Sequence, residues 1–236
     1  MKALKDKALE LNIELSDQQL AQFDTYYKYL VEKNKVMNLT AITEKDEVID
    51  KHFIDSIMLA SFFDLKPGLK VIDLGTGAGF PGMPLKITYP DLSVTLLDSL
   101  NKRINFLNEV IEMLGLKDVE AIHGRAEDFS KKGKLREEYD LCVSRAVANL
   151  SSLSEYCIPY VKKGGYFISY KSGNSSDEIK EAANAIKILG GKLEEVKKVT
   201  IPGTDIERTF VVIRKCLETP KKYPRKAGMP TKNPIR

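Results

Sequence analysis

Cysteine and histidine are scarce in this chain: Cys142, Cys157 and Cys216 are the only thiols and His52 and His123 the only imidazoles in 236 residues, with no Cys-x-x-Cys pair. That supply cannot build a disulfide framework and leaves too few soft ligands for a structural zinc site, so no metal is expected and a reducing compartment is. No apolar run approaches the ~18 residues of a membrane span. The opening Met1-Lys-Ala-Leu-Lys-Asp-Lys has none of the apolar core of a signal peptide, which makes the cytoplasm the expected location.

What remains is ordinary α/β composition, 43% hydrophobic and 30% charged. The net charge of +4 is unevenly spread. Residues 214–236 hold eight basic side chains and one acid, a net +7, which leaves −3 for residues 1–213.

The first part of the chain reads as helix. Ser16-Asp-Gln-Gln19 has the form of a capping box, and Leu20, Phe23, Tyr27, Leu30 and Val31 follow at helical spacing. Thr43-Glu-Lys-Asp46 is expected to cap a further helical stretch whose buried side includes Val48, Ile49, Phe53, Ile54, Ile57 and Met58. From Leu69 short apolar runs alternate with helical stretches. Strands are expected at Val71–Leu74, Val94–Leu97, Val119–Ile122, Leu141–Ser144 and Tyr166–Ser169, with helices at Pro84–Tyr89, Lys102–Leu114, Leu150–Val161 and Asp177–Leu189. Such alternation specifies a parallel sheet with helices on both faces. The end differs, because Leu193–Ile201 and Thr209–Ile213, joined by Pro202-Gly-Thr-Asp, read as an antiparallel hairpin.

The first strand runs into Asp73-Leu-Gly75-Thr-Gly77-Ala-Gly79-Phe80-Pro81-Gly82. Glycines at alternate positions permit a sharp turn and close approach of a ligand at a helix N-terminus. The spacing is neither G-x-G-x-x-G nor a Walker loop, since no Gly-Lys-Ser/Thr follows. An acid two residues before the first glycine repels phosphate and welcomes an ammonium. S-adenosylmethionine meets those demands with an ammonium, a ribose diol, an adenine and no phosphate. Asp98, 25 residues after Asp73 at the end of the second strand, is placed to accept from the ribose hydroxyls. Ala126 and Glu127, after the third strand, stand where an adenine edge would lie.

At the end of the fourth strand, where the transferred methyl is expected, stands Ser144-Arg145-Ala146-Val147. The Asn-Pro-Pro-Tyr type of motif that serves exocyclic amines is missing, as is the Pro-Cys that serves C5 of pyrimidines. A target with an exposed lone pair, such as N7 of guanine, needs no proton removed; positioning then matters more than acid-base groups. Arg145 is suited to holding a phosphate, pairing with guanine O6 or meeting the cofactor carboxylate, and Lys171 to anchoring a second phosphate. His52 and Asp55 lie in the helical part, and whether they face the site is left open. The tail carries four prolines, which favour an extended course, and Lys221, Lys222, Arg225 and Lys226 flank Tyr223, a stacking ring for unpaired bases. Four such charges on single-stranded RNA phosphates give a log-log salt slope of roughly −3.

These residues resemble the RsmG (GidB) family of bacterial 16S ribosomal RNA guanine-N7 methyltransferases. The resemblance rests on Asn38-Leu-Thr, His52-Phe-Ile-Asp-Ser, the Asp73 to Leu85 loop with its Phe-Pro-Gly extension, Leu97-Asp-Ser-Leu-Asn-Lys-Arg103, Ser144-Arg-Ala and Thr219-Pro-Lys-Lys-Tyr-Pro-Arg-Lys, and covers residues 38–236. It implies a class I, Rossmann-like S-adenosylmethionine-dependent methyltransferase fold: a mainly parallel seven-stranded sheet ending in an antiparallel hairpin, with an N-terminal helical cap. It implies action on 16S rRNA or the small ribosomal subunit at a single guanine, guanine-527; separately, a monomer with no membrane partner is expected. By position, Gly75, Phe80, Ala126, Glu127 and Arg145 are expected to contact the cofactor and Asp98 its ribose. The expected division is a cap over 1–65, the S-adenosylmethionine-binding domain over 66–216 and the basic tail over 217–236. Two other readings stay open: a methyltransferase of a small molecule or protein, and a non-catalytic ribosome-assembly factor that binds RNA.

Overall fold

The computed structural model describes every residue of the chain except Lys132, Ala146, Val147 and Asn174. Among the described residues, β1 (Lys70–Leu74), β2 (Ser93–Asp98), β3 (Val119–His123), β4 (Tyr139–Arg145), β5 (Val161–Ser172), β6 (Gly191–Thr200) and β7 (Glu207–Lys215) form one sheet in the order β3-β2-β1-β4-β5-β7-β6. The first five strands pair in parallel, and β7 lies antiparallel between β5 and β6. The expected hairpin is therefore present, and its second strand is the one that joins the parallel sheet. Strand order reverses between β1 and β4, which opens a crevice at their carboxyl ends.

Alternation along the strands sorts the core into two layers. Val71, Leu96, Leu141, Val143, Ile168 and Phe210 point to one face. There they meet α1 (Lys2–Glu10), α2 (Asp17–Met37), α5 (Gly82–Thr88), α6 (Asn101–Leu114) and a helical run made of α3 (Lys45–Val48), a π-helical turn (Ile49–Ile54), α4 (Asp55–Ile57) and a 3-10 turn (Met58–Ser61). Ile72, Leu97, Cys142, Phe167 and Val211 point the other way, toward α7 (Ala126–Phe129), α8 (Leu150–Cys157) and α9 (Ser176–Ile188). The N-terminal helices share one continuous hydrophobic cluster with the strands, so this layer is part of the main core. No helix among the described residues is long and apolar enough to cross a membrane.

Local signals explain most boundaries. The Ser16 hydroxyl accepts from Gln19 N while the Gln19 side chain accepts from Ser16 N, a full capping box that starts α2. Asn38, left-handed at φ 50°, ends that helix. Two expectations shift. The α3 N-cap is Glu44 and no side chain caps it; the Thr43 carbonyl accepts from the Tyr27 hydroxyl instead. α8 stops at Cys157, because Pro159 forces a 3-10 turn over Ile158–Tyr160, and β5 begins at Val161. The tail is not extended: it folds back through turns and the short α10 (Met229–Lys232) onto α8, burying Pro230.

Candidate functional site

A cavity of about 720 Å³ opens at the carboxyl ends of the parallel strands. Its floor is the loop after β1. Gly75, Gly77 and Gly79 all have positive φ, and at Gly79 a Cβ would lie 2.6 Å from both Met83 Cγ and Tyr26 Oη. Only glycine fits there. The Tyr26 hydroxyl donates to the Ala78 carbonyl, so the N-terminal layer holds the loop from beneath.

Asp73 does not line this cavity, contrary to its expected meeting with an ammonium. Strand alternation turns its side chain to the N-terminal layer, fully buried, where Oδ2 accepts from Thr76 Oγ1 at 2.7 Å and Gly82 N at 2.8 Å. Burial pushes its carboxyl up to about 6. Its Oδ1 is left without a partner. Asp73 is thus the clamp that shapes the glycine loop.

Asp98 does line the cavity and is 3% exposed. Oδ2 accepts from Gly77 N at 2.9 Å and Arg103 at 3.1 Å, and Oδ1 from Leu100 N at 2.9 Å. A carboxylate offers about four acceptor sites. One remains, on Oδ1, for a hydroxyl donor, so the ribose diol has one free acceptor here where two had been expected. Ala126 and Glu127 line the far wall. Glu127 is buried, and its Oε1 accepts from Gly228 N at 3.1 Å, which brings the tail to the cavity edge.

At the opposite end Arg145 points to the N-terminal layer. It donates to Lys51 O at 2.8 Å, Asp55 Oδ2 at 2.6 Å and His52 Nδ1 at 3.1 Å, and lies 5.2 Å above the Phe80 ring. Asp55 Oδ1 accepts from Arg208 Nε at 2.9 Å, so one buried carboxylate serves two guanidiniums. His52 stacks on Phe80 at 4.4 Å. Burial, reinforced by the Arg145 charge, pushes its imidazole down to about 3, so the ring is neutral. Ala146 and Val147, which follow Arg145 in the motif, lie outside the described residues.

Lys171 is not in the cavity. It follows Tyr170, the register partner of Arg145, and alternation sends it to the other face, where Nζ donates to Ala148 O at 2.9 Å and Glu178 Oε1 at 2.6 Å. Lys171 braces the chain leading into α8. In the tail, Lys221, Lys222 and Lys226 are exposed, whereas Tyr223 is half-buried against the core and Arg225 donates to Glu155, a carboxylate with no exposure.

Thr40, Tyr156 and Gly228 are also among the lining residues, and Arg208 and Asp55 support the lining. In the sequence Thr40 stood only within a motif and Asp55 only as an open question, while Tyr156, Gly228 and Arg208 had no role. Arg208 and Gly228 carry no local signal, since each reaches the site from a distant element.

The residues present suit S-adenosylmethionine: a buried carboxylate with an open acceptor site, a glycine loop whose backbone borders the cavity, a second acid, Glu127, on the far wall, and an arginine at the other end. The rRNA small subunit methyltransferase G (GidB) family model matches residues 19–210. The chain is 58% identical to Ribosomal RNA small subunit methyltransferase G of Lachnoclostridium phytofermentans over 225 residues, covering 95% of this chain and 93% of that one. To the protein of the same name from Desulforamulus reducens it is 53% identical, covering 98% and 97%. A solved structure of a SAM-dependent methyltransferase from Aquifex aeolicus shares the fold, with a TM-score of 0.53 at 20% identity over 78% of this chain and 97% of that one. With the family matched along nearly its whole length and the cavity fitted to the donor, this chain belongs to the rRNA small subunit methyltransferase G family, methyltransferases that use S-adenosylmethionine.

Proposed function

We propose that the protein methylates N7 of a single guanine in 16S rRNA, guanine-527 by family resemblance, within the small ribosomal subunit or its rRNA, as a cytoplasmic enzyme. The observation that carries this reading is the state of the groups around Arg145. Asp55 has each oxygen bonded to an arginine, and His52 Nδ1 is occupied by Arg145. Asp55 does not line the cavity and serves the two guanidiniums, and the His52 Nδ1 lone pair faces Arg145, so neither is presented to the cavity as a base. N7 of guanine has none to lose, so a site built for positioning suits it, whereas an exocyclic amine would require a base.

S-adenosylmethionine supplies a methyl group on a sulfonium, open to in-line attack by a lone pair. The protein's own contribution is orientation. Asp98 holds the ribose end, Ala126 and Glu127 border the base, and the Gly75 to Phe80 loop carries the methionine portion. Arg145, anchored on Asp55 and above the Phe80 ring, sets the end where the guanine enters. Lys171 acts one layer out by steadying the chain after Arg145. In this division residues 66–216 hold the donor, 1–65 back the glycine loop and bring Thr40 and His52 to the cavity, and the exposed lysines of 217–236 meet RNA.

The test incubates the protein with radiolabelled S-adenosylmethionine and either unmodified 16S rRNA or small subunits, then maps label by cleavage at N7-methylguanine. Label at a single guanine is the expected result and identifies the accepted substrate form. Cofactor binding without RNA label overturns the assigned substrate.

A further inference from the structure

The loop after α2 ends at the cavity with Thr40, and its hydrogen bonds determine what that hydroxyl can do. Asn34 Oδ1 accepts from both Leu39 N (2.7 Å) and Thr40 N (2.9 Å), which pins the loop to the helix end. Thr40 Oγ1 accepts from Ile42 N at 3.0 Å and lies 2.8 Å from His52 Nε2.

The proton on that second contact is assigned by the other side of the ring. His52 Nδ1 faces Arg145 NH2 at 3.1 Å, and a guanidinium only donates. Nδ1 therefore accepts. Lys51 O also lies 3.0 Å from Nδ1, but that carbonyl already accepts from Arg145 NH1 at 2.8 Å, whereas Arg145 NH2 has only hydrogens to present to the ring nitrogen, so the guanidinium sets the tautomer. The neutral imidazole then carries its hydrogen on Nε2 and donates it to Thr40 Oγ1. Both lone pairs of the hydroxyl are used, by Ile42 N–H and His52 Nε2–H. Its own hydrogen has no acceptor among the described residues, and Thr40 lines the cavity.

We infer that Thr40 is the residue that reads the target base, donating its hydroxyl hydrogen to O6 of guanine while leaving N7 free for the methyl group. The inference rests on the guanine-N7 reading above. Wired this way, Thr40 is a donor and nothing else. Adenine presents an amino group at the same place, so donor would face donor, and a site built around a fixed hydrogen bond rejects the analogue that cannot make it. The chain Arg145, His52, Thr40 also ties recognition of the base to the arginine at the methyl end of the cavity.

The experiment compares small subunits whose 16S rRNA carries guanine or 2-aminopurine at the target position; 2-aminopurine keeps N7 and lacks O6. Initial rates are measured for the wild type, Thr40→Val and Thr40→Ser, with S-adenosylhomocysteine affinity by calorimetry as a check on the donor site. Expected is a wild-type rate roughly tenfold lower on 2-aminopurine than on guanine, about one hydrogen bond. Thr40→Val should fall on guanine and show no further discrimination, and Thr40→Ser should keep it. Cofactor affinity should stay within about twofold in both. Should valine not be accommodated, seen as lost S-adenosylhomocysteine binding, Thr40→Ala serves the same comparison. Equal wild-type rates on the two bases, or undiminished discrimination in Thr40→Val or Thr40→Ala, overturns the inference. A wild type that labels neither base instead overturns the guanine-N7 reading itself.

Discussion

Asp98 concentrates three hydrogen bonds on one buried carboxylate while facing the cavity, so it organises both the glycine loop and the cofactor's ribose. Hydrogen bonds to a charged group are worth about 1.5–3 kcal/mol. Asp98→Ala should therefore weaken S-adenosylmethionine binding roughly tenfold to a hundredfold by calorimetry; unchanged affinity would remove it from the site. His52 sits at about 3 in the native state against an ordinary 6.5. Between those values the unfolded chain takes up a proton that the native ring does not, so this contribution to stability is complete above pH ~6.5 and is lost as pH falls toward 3. Asp73, raised from 3.8 to about 6, acts oppositely, its contribution fading as pH rises through about 6. The His52 share is isolated by His52→Gln, in which the fall in Tm between about pH 7 and about pH 5 should be smaller than in the wild type. An identical fall in the two proteins would mean that the imidazole is not buried neutral.

At the scale of elements, the fold-back of the C-terminal segment depends on a few internal contacts. Arg225 pairs with Glu155 through three side-chain contacts of 2.6–3.1 Å, and Arg136 donates to the carbonyls of Thr219 and Tyr223. Removing the cation leaves a carboxylate buried without its charge partner, at a cost of about 3 kcal/mol. Arg225→Ala should lower Tm by several degrees, while Lys226→Ala, exposed one residue away, should change stability by no more than about 0.5 kcal/mol. Equal effects of the two would show that the segment is not anchored through Glu155. Elements were legible where a local pattern carried them: the capping box of α2, the alternating strands and helices, and the turn between β6 and β7. Pro159 was present in sequence as well, but its breaking of α8 depended on β5 competing for the following residues. The path of the tail was not legible, because prolines exclude regular structure without specifying where a chain goes.

The whole molecule carries its charge asymmetrically, and folding subdivides it further. Of the four cations that flank Tyr223, Arg225 is held by Glu155, which leaves Lys221, Lys222 and Lys226 exposed for phosphate. Three contacts on single-stranded RNA correspond to a log-log slope of about −2, smaller than the −3 expected from four. Replacing all three by alanine should reduce the salt slope of RNA binding by about 2, measured by fluorescence anisotropy across a salt series. An unchanged slope would take the tail out of the RNA interface. The fold, the cofactor class and the two acids at strand ends were readable from the chain because short-range periodicity and glycine spacing express backbone geometry directly. Which way those acids and cations point was not. Arg145 and Lys171 lie at the ends of adjacent strands, yet alternation puts one in the cavity and the other behind it. Glu127 meets Gly228 across 101 residues, and Asp55 meets Arg208 across 153. Such pairs exist only once the sheet has brought distant segments together, since no local rule links residues that far apart.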